Sequence, residues 1–436
     1  MGCQYYDPCQ NGATSFTVAM PRLTFGRGCL SELGFRAAAL GFKRTAIITD
    51  PGLRDGPIVA KAVEFLGRSQ IETAIFSDIR VEPTDKCAED AARFLRDGEF
   101  DSVVSIGGGS AIDTCKSALV LHQQKGKLLR FFAPPVGEAA AIEKPLLPHI
   151  ACPTTSGTGS ECTSLSVIRV NTLDTKFVIA SSYLLPDEAL VDPACADSLP
   201  ANIVASTGYD LTCHALECFT SRAYTQHAGT DPSAVGTRQL IQGCNPWSEL
   251  IASKALQIAD IYLERGVNDR SDQEANDQLM WGATLAGMAF GNTGTHLAHA
   301  LSYGITHLMK DITTTDYNIA SPFIPHGISV MVLAPSVFRY TAEATPERHL
   351  EAASFLDHKT TDATPKESGE VLVERLVSLM KTTGGPSGLE DLGFSENQTD
   401  QLAESAFRQK RAIGNAPRDS NLVDVTNVFA SSRGYW

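Results

Sequence analysis

A carboxylate and an imidazole four residues apart on one helix face form either a charge pair or half of a metal site. The stretch GYDLTCHALE, residues 208–217, holds such a pair in Asp210 and His214. Its other residues are apolar helix formers, so both side chains would project from one face of a buried helix. A core pair needs nothing further, whereas a metal site needs more ligands. The chain has ten histidines, and four of them fall between His296 and His326. THLAHALSYGITH, residues 295–307, carries His296, His299 and His307 on one predicted helix, and PHGIS, residues 325–329, sets His326 at a helix start. A single histidine on an apolar face is ordinarily a hydrogen-bonded core residue. Asp210, His214 and two of these histidines would together present one oxygen and three nitrogens, a set that suits Fe2+ or Zn2+ with a position open for substrate.

A different chemistry is written upstream. SVVSIGGGSAIDTCK, residues 102–116, reads as an apolar strand, three glycines and a helix start. Glycines let backbone approach an anion closely, and the amides of a helix start point at it. Gly108, Gly109 and Ser110 would hold a pyrophosphate. The spacing is neither GxGxxG nor GxxxxGK[ST], and a plain strand-to-helix joint is the competing reading. CPTTSGTGSEC, residues 152–162, also follows a short apolar strand. Two such strand ends would line the carboxyl edge of a parallel sheet, where ligands bind. Asp50 ends an earlier strand, where its charge would accept ribose hydroxyls and repel a 2′-phosphate; taken alone it reads as a turn residue.

The elements that must position these groups alternate in the first half of the chain. Thr45–Thr49, Thr73–Phe76, Ser102–Ile106, Ile150–Cys152 and Leu190–Val191 read as strands, with helix-like segments such as Cys87–Arg96 between them. That alternation predicts a mostly parallel sheet covered on both faces. Asp192–Ser206 has two prolines and no clear period, and the domain boundary is expected there, dividing the chain into 1–200 and 201–436. Beyond it Leu250–Arg265, Asp277–Phe290, His326–Thr341 and Glu347–Leu356 carry apolar residues at helical spacing. The expected fold is an α/β nucleotide-binding domain followed by an all-α metal-binding domain.

Bulk properties agree with two domains and exclude several partners. A chain of 436 residues exceeds one ordinary core. A net charge of −14 argues against nucleic acid or an anionic membrane as partner. No apolar run reaches the roughly 18–20 residues of a membrane span. Eleven cysteines, an odd number with no CxxC, read as free thiols in a reducing compartment. The opening MGCQYYDPCQNG has neither a secretory core nor transit-peptide arginines, which points to the cytoplasm.

Taken together, GGGSxxDxxK, PTTSGTGSE, DxxxHALE and the downstream histidine pair resemble the iron-dependent alcohol dehydrogenase family, from about Phe16 to the C-terminus. The resemblance implies the dehydroquinate synthase-like fold, Fe2+ (or Zn2+) and NAD as cofactors, a homodimer, and metal ligands Asp210, His214, His299 and His326. It also assigns dinucleotide contacts to Gly108, Gly109, Ser110, Asp113, Thr154, Thr155, Thr158, Thr163 and Lys176, with Asp50 at the adenosine end. Many members carry a histidine four residues after the third ligand, where this chain has Tyr303, and the segment Ser221–Trp247 looks like an insertion. Both features resemble the hydroxyacid-oxoacid transhydrogenase branch, as do VEPTD (81–85), GNTGTH (291–296) and PERHLE (346–351). Enzymes of that branch, mitochondrial where known, oxidise 4-hydroxybutyrate while reducing 2-oxoglutarate, and keep the nicotinamide bound.

Under that reading His296 or Tyr303 passes the hydroxyl proton to solvent. A substrate carboxylate needs a cation, for which Arg238 in the insertion is the first choice and Lys310 and Arg222 the next; surface solvation is the bland role of each. Competing functions are an alcohol dehydrogenase with a pathway-specific small-molecule substrate, a metal- and NAD-dependent lyase of the dehydroquinate synthase type, and a non-catalytic binding protein. The lyase would need clustered cations around a phosphorylated sugar acid, and Thr293–Ser329 offers only Lys310.

Overall fold

The computed structural model describes residues 4–6, 8–133, 136–173, 175–229, 240–309, 323–356 and 363–436; Arg238 and Lys310 lie outside them. The chain divides into two compact units, Ala19–Ser198 and Met1–Val18 with Leu199–Trp436.

In the first unit the strands are β1 (Arg22–Phe25), β2 (Arg44–Thr49), β3 (Glu72–Phe76), β4 (Ser102–Gly107), β5 (His149–Pro153), β6 (Leu165–Val170), β7 (Thr175–Ala180) and β8 (Glu188–Val191). Six of them form a parallel sheet in the order β1-β8-β5-β4-β2-β3, and β6 and β7 form a separate antiparallel hairpin. The central strands are buried throughout, as SVVSIG of β4 and HIACP of β5 show, because helices cover both faces. Ile47, Val104 and Ile150 pack with α1 (Leu33–Ala39) and α2 (Pro57–Arg68). Their neighbours Ala46, Ile48 and Val103 point the other way, onto α3 (Asp85–Asp97) and α4 (Gly109–Gln123). From β2 the chain first adds β3 on one side and then β4 on the other. The carboxyl ends of β2 and β4 therefore flank the point where strand order reverses, the usual ligand crevice of such sheets. Edge strand β1 and the β6–β7 hairpin have no counterpart among the expected strands.

The helical unit contains α5 (Ala201–Thr220), α6 (Pro246–Asn268), α7 (Gln273–Thr293), α8 (Leu297–Leu308), α9 (His326–Met331), α10 (Ala334–Ala342), α11 (Pro346–Phe355), α12 (Ser368–Thr382), α13 (Thr399–Ala406), α14 (Lys410–Ile413) and α15 (Leu422–Ser431). Sixteen of the twenty residues of α5 are buried, so any charge on this helix must be satisfied inside the protein. The helix starts at Ala201, within the stretch that shows no clear period in the sequence. The single helix expected over His326–Thr341 is broken at Val332–Leu333. Pro335 explains the break, since its ring would clash with the carbonyl of Met331 in a continuous helix.

Residues 1–18 group with the helices rather than with the α/β unit that the sequence reading gave them. Cys9 N donates to Thr225 O (3.2 Å), and Thr17 and Gln242 exchange two hydrogen bonds of 2.8 Å. An irregular segment whose partners lie more than 200 residues away carries no local pattern that would reveal them.

Candidate metal centre and nucleotide edge

Helix α5 presents Asp210, His214 and Glu217 along one face, the i, i+4, i+7 positions of successive turns. Helix α8 brings His299, and α9 begins with His326. Asp210 Oδ1 is the common point: it lies 3.2 Å from His299 Nε2, 3.7 Å from His326 Nε2 and 3.8 Å from His214 Nδ1. Ligand atoms of Asp210, His214 and His299 all fall within 4.8 Å of one another. These three residues are buried, while the His326 side chain is 30% exposed and marks the open side. Gly327 makes this geometry attainable, because a Cβ there would sit 1.7 Å from Ser206 O of α5. Only glycine lets the start of α9 approach α5 closely enough to deliver His326.

Ring packing and hydrogen bonds hold the donors in place. The His214 ring is sandwiched between Phe290 and His299, with centroids 4.0 and 4.3 Å away. His299 Nδ1 and Glu217 Oε2 are 2.5 Å apart. Glu217 Oε1 also accepts from the amides of Ala298 (2.5 Å) and His299 (3.2 Å). One buried carboxylate thus caps the start of α8 and turns Nε2 of His299 toward Asp210. Burial alone would raise the Asp210 carboxyl, but the three imidazoles facing it hold it well below the usual carboxylate range. Glu217 behaves likewise: against its burial, His296 and His299 bring it down to about 2. His299 is opposed by burial and lifted by Glu217 and Asp210 to about 9, so its ring sits in a field that favours a cation. Asp210, His214 and His299 lie close enough to share one ion and His326 Nε2 stands 3.7 Å from Asp210 Oδ1, a set of one oxygen and three nitrogens that fits a divalent first-row metal.

The two proton-path candidates separate sharply. His296 is fully buried; its Nδ1 accepts from Leu297 N (2.7 Å) and its Nε2 meets Thr220 Oγ1 (3.0 Å). Thr220 Oγ1 already donates to Leu216 O (2.7 Å), so it accepts from His296, which is held as one neutral tautomer. Burial lowers this imidazole to about 4. His296 therefore acts as the N-cap of α8 and has no open route to water. Tyr303, half-buried and one turn after His299, keeps contact with solvent.

At the nucleotide edge, what matters is largely the absence of side chains. A Cβ at Gly107 would lie 2.3 Å from Asp50 Oδ2, at Gly108 3.1 Å from Thr155 Cγ2, and at Gly109 2.8 Å from Thr158 Cγ2. The two glycine-rich segments are therefore in contact, and Asp50 joins them by accepting from Gly108 N (3.3 Å). Gly108 caps α4 without a side-chain hydrogen bond, leaving the first amides of the helix for an anion. Asp50, Gly108, Gly109, Ser110, Thr155 and Thr158 form an accessible rim. Asp113, Thr154, Thr163 and Lys176 lie beneath it, buried.

These buried residues hold the rim up. Asp113 accepts from Ser160 Oγ (2.5 Å) and from Val167 N (2.9 Å), and Thr154 N donates to Gly107 O (3.0 Å). Lys176 pairs with Glu82 at 2.6 Å. Lys116, the last residue of GGGSxxDxxK, is fully buried and donates to the carbonyls of Ser160 (2.7 Å), Thr163 (2.8 Å) and Leu165 (2.8 Å). Burial brings its ammonium down to about 8, against the pull of Asp113 and Glu161. The sequence reading did not single out Glu217, Lys116, Glu82 or Gly327. Glu217 gave a local signal as the third acidic-or-histidine position on the Asp210 face, and Lys116 as the residue that closes the glycine motif.

Comparison with known proteins identifies relatives along nearly the whole chain. The family described as iron-containing alcohol dehydrogenase matches residues 21–193, and the Fe-containing alcohol dehydrogenase C-terminal family matches residues 240–433. The mitochondrial hydroxyacid-oxoacid transhydrogenase of Mus musculus is 36% identical over 429 residues, covering 98% of this chain and 92% of that protein. Among solved structures, a 1,3-propanediol oxidoreductase superposes with a TM-score of 0.83 at 28% identity, over 96% of this chain and 100% of that one. The sulfoacetaldehyde reductase of Bifidobacterium kashiwanohense, solved in complex with NAD+, gives 0.76 at 25%, over 96% and 99%. The chain belongs to the iron-containing alcohol dehydrogenase family and is an oxidoreductase.

Proposed function

We propose that this protein is a hydroxyacid-oxoacid transhydrogenase that moves hydride between 4-hydroxybutyrate and 2-oxoglutarate through a resident NAD. The observation that carries the metal-dependent chemistry is the convergence of three imidazoles on Asp210 Oδ1. The transhydrogenase assignment draws on 36% identity along nearly the whole chain. Asp210, His214, His299 and His326 would hold iron or zinc, and the accessible rim from Asp50 to Thr158 would hold the dinucleotide. The chemistry these groups bring when bound is Lewis acidity toward a substrate hydroxyl and a nicotinamide that accepts and returns hydride.

The chain's own residues do the rest. Glu217 fixes the His299 tautomer, so that Nδ1 carries the hydrogen and Nε2 faces the centre. Asp210, His214 and His299 are buried and keep water from the centre, and His326 is its most exposed member. Tyr303 is the group through which the hydroxyl proton reaches solvent. The ten described cysteines are free and nine of them buried, which supports a reducing compartment, cytoplasm or mitochondrion. A fluorescent fusion at native expression level separates those two.

The test is a paired assay on purified, metal-loaded protein. One arm contains 4-hydroxybutyrate and 2-oxoglutarate with no added nucleotide, and the other contains simple alcohols with NAD. Turnover in the first arm is the expected result. Silence there, with NADH formed in the second, would instead make this an ordinary alcohol dehydrogenase.

A further inference from the structure

The accessible rim, proposed above to hold the dinucleotide and the reading on which this step rests, has a definite order along the carboxyl edge of the sheet. Thr155 and Thr158 follow β5, Gly108 and Gly109 follow β4, and Asp50 follows β2. Beyond β2 stands one further strand, β3. The pairing of Ile48 with Phe76 sets Ser77 beside Thr49, so β2 and β3 leave the sheet level with one another. Adjacent strands are separated by roughly 4.8 Å, and the end of β3 is therefore the next step along the edge after Asp50.

Arg54 occupies that step. Leu53 N donates to Asp50 O (3.0 Å) and Gly56 N to Leu53 O (2.9 Å), which folds residues 50–56 into successive turns before α2. From these turns the Arg54 side chain reaches to β3, where Nη1 donates to Ser77 Oγ (2.9 Å), a buried hydroxyl. The opposite ends of the same two strands show what a structural arginine looks like. There Arg44 of β2 faces Glu72 of β3 in register and pairs with its carboxylate at 2.8 Å. Arg54 bridges the strands just as directly, but through a neutral partner. Among the described residues the one carboxylate within 4 Å of it is Asp55, at 3.9 Å and 95% exposed, so its charge is not offset by a tight pair. Half of the side chain stays open to solvent.

We infer that Arg54 binds the adenine of the dinucleotide, with the guanidinium lying against the face of the base. The order of the edge carries this. The free amides at the start of α4 take the pyrophosphate, and an acid at the end of the neighbouring strand takes the adenosine ribose. The base follows the ribose, one strand further on, where Arg54 and Ser77 stand. Ser77 holds the guanidinium at one nitrogen, and its planar π-system and charge both favour an aromatic face. A 2′-phosphate would also meet this cation, but only beside Asp50, whose carboxylate repels it. Stacking on the base is thus the role that suits both residues, and it supplies a grip on NAD at the end of the molecule remote from hydride transfer.

The test uses full-length, metal-loaded protein freed of nucleotide, and calorimetric titration with NAD, ADP-ribose and the 2′-phosphorylated dinucleotide. Arg54→Ala is expected to weaken NAD and ADP-ribose alike by about ten-fold, with the melting temperature of the nucleotide-free protein unchanged. Arg54→Tyr, neutral but planar, should stay within about three-fold of the wild type. Arg54→Lys keeps the charge and a donor for Ser77 but not the plane, and should recover less. Recovery by Lys and not by Tyr would reduce Arg54 to a strand staple, and a loss confined to the 2′-phosphorylated form would make it a phosphate site; either result overturns the inference. A wild type that grips ADP-ribose through Arg54 yet is silent on 4-hydroxybutyrate with 2-oxoglutarate keeps the adenine site and overturns the proposed function. A wild type that turns these acids over, with ADP-ribose affinity unchanged in Arg54→Ala, keeps the function and overturns the site.

Discussion

The metal centre and the nucleotide edge reach their purposes by opposite means. At the centre, imidazoles from α5, α8 and α9 approach one carboxylate oxygen, and each would count for the atom it carries. At the edge, backbone amides are exposed because Gly107, Gly108 and Gly109 have no side chains to cover them. The centre is buried and electrostatically strained, with acids held low and His299 held high. The edge is an accessible rim over a buried support built around Lys116 and Asp113. A site that grips a metal is broken by removing an atom; a site that cradles a phosphate is broken by adding one.

That contrast gives its largest effect at His299. His299→Ala is expected to abolish stoichiometric metal and to lower activity by at least about three orders of magnitude, with the fold retained. Metal analysis and circular dichroism check this, and NAD affinity, measured by fluorescence titration, should remain within about two-fold. A parallel collapse of NAD binding would show that the two regions are not independent. The next effect is at Glu217. Glu217→Gln keeps the volume but removes the charge that orients His299, and a loss of about 10–100-fold in metal affinity is expected in chelator competition. An unchanged affinity would reduce Glu217 to a helix cap. On the other side, Gly109→Ala places a methyl 2.8 Å from Thr158 Cγ2 and should weaken NAD about ten-fold while leaving bound metal unchanged.

The same contrast explains what could be read in the sequence. Asp210 and His214 are legible together because helical periodicity is a local property, and Gly108–Ser110 because a glycine run between strand and helix is local too. Glu217 lies in the same stretch, but its partner His299 is 82 residues away and nothing local joins them. Lys116 bonds to main-chain carbonyls, which every residue has and which leave no pattern. Gly327 matters only because Ser206 of another helix passes behind it. His296 reads in sequence as a proton carrier beside a ligand; its complete burial is decided by packing from α5 and α10, which the sequence order does not show. Arg238 reads as a carboxylate partner from its place in the insertion alone. Arg238 falls outside the described residues.

The smallest expected effect belongs to the carboxylate at the nucleotide edge. Burial raises the Asp50 carboxyl from 3.8 to about 6, against the hydrogen bond from Gly108 N. The sign follows from the direction of that shift. The folded protein binds this proton more readily than the unfolded chain, so between these two values the group favours the folded state as pH falls and disfavours it as pH rises. Ligand binding runs the other way, since the carboxylate accepts more strongly than the neutral acid from a ribose hydroxyl and from Gly108 N. NAD affinity should therefore fall a few-fold as pH drops through about 6, while thermal stability in the absence of nucleotide does not fall on Asp50's account. Asp50→Asn should flatten the pH dependence of NAD affinity. Nucleotide titrations from pH 5 to 8, about the expected pKa, check this with the metal-free protein. Equal slopes in wild type and variant would place the titrating group elsewhere and leave the edge an anion cradle whose binding owes nothing to its own charge.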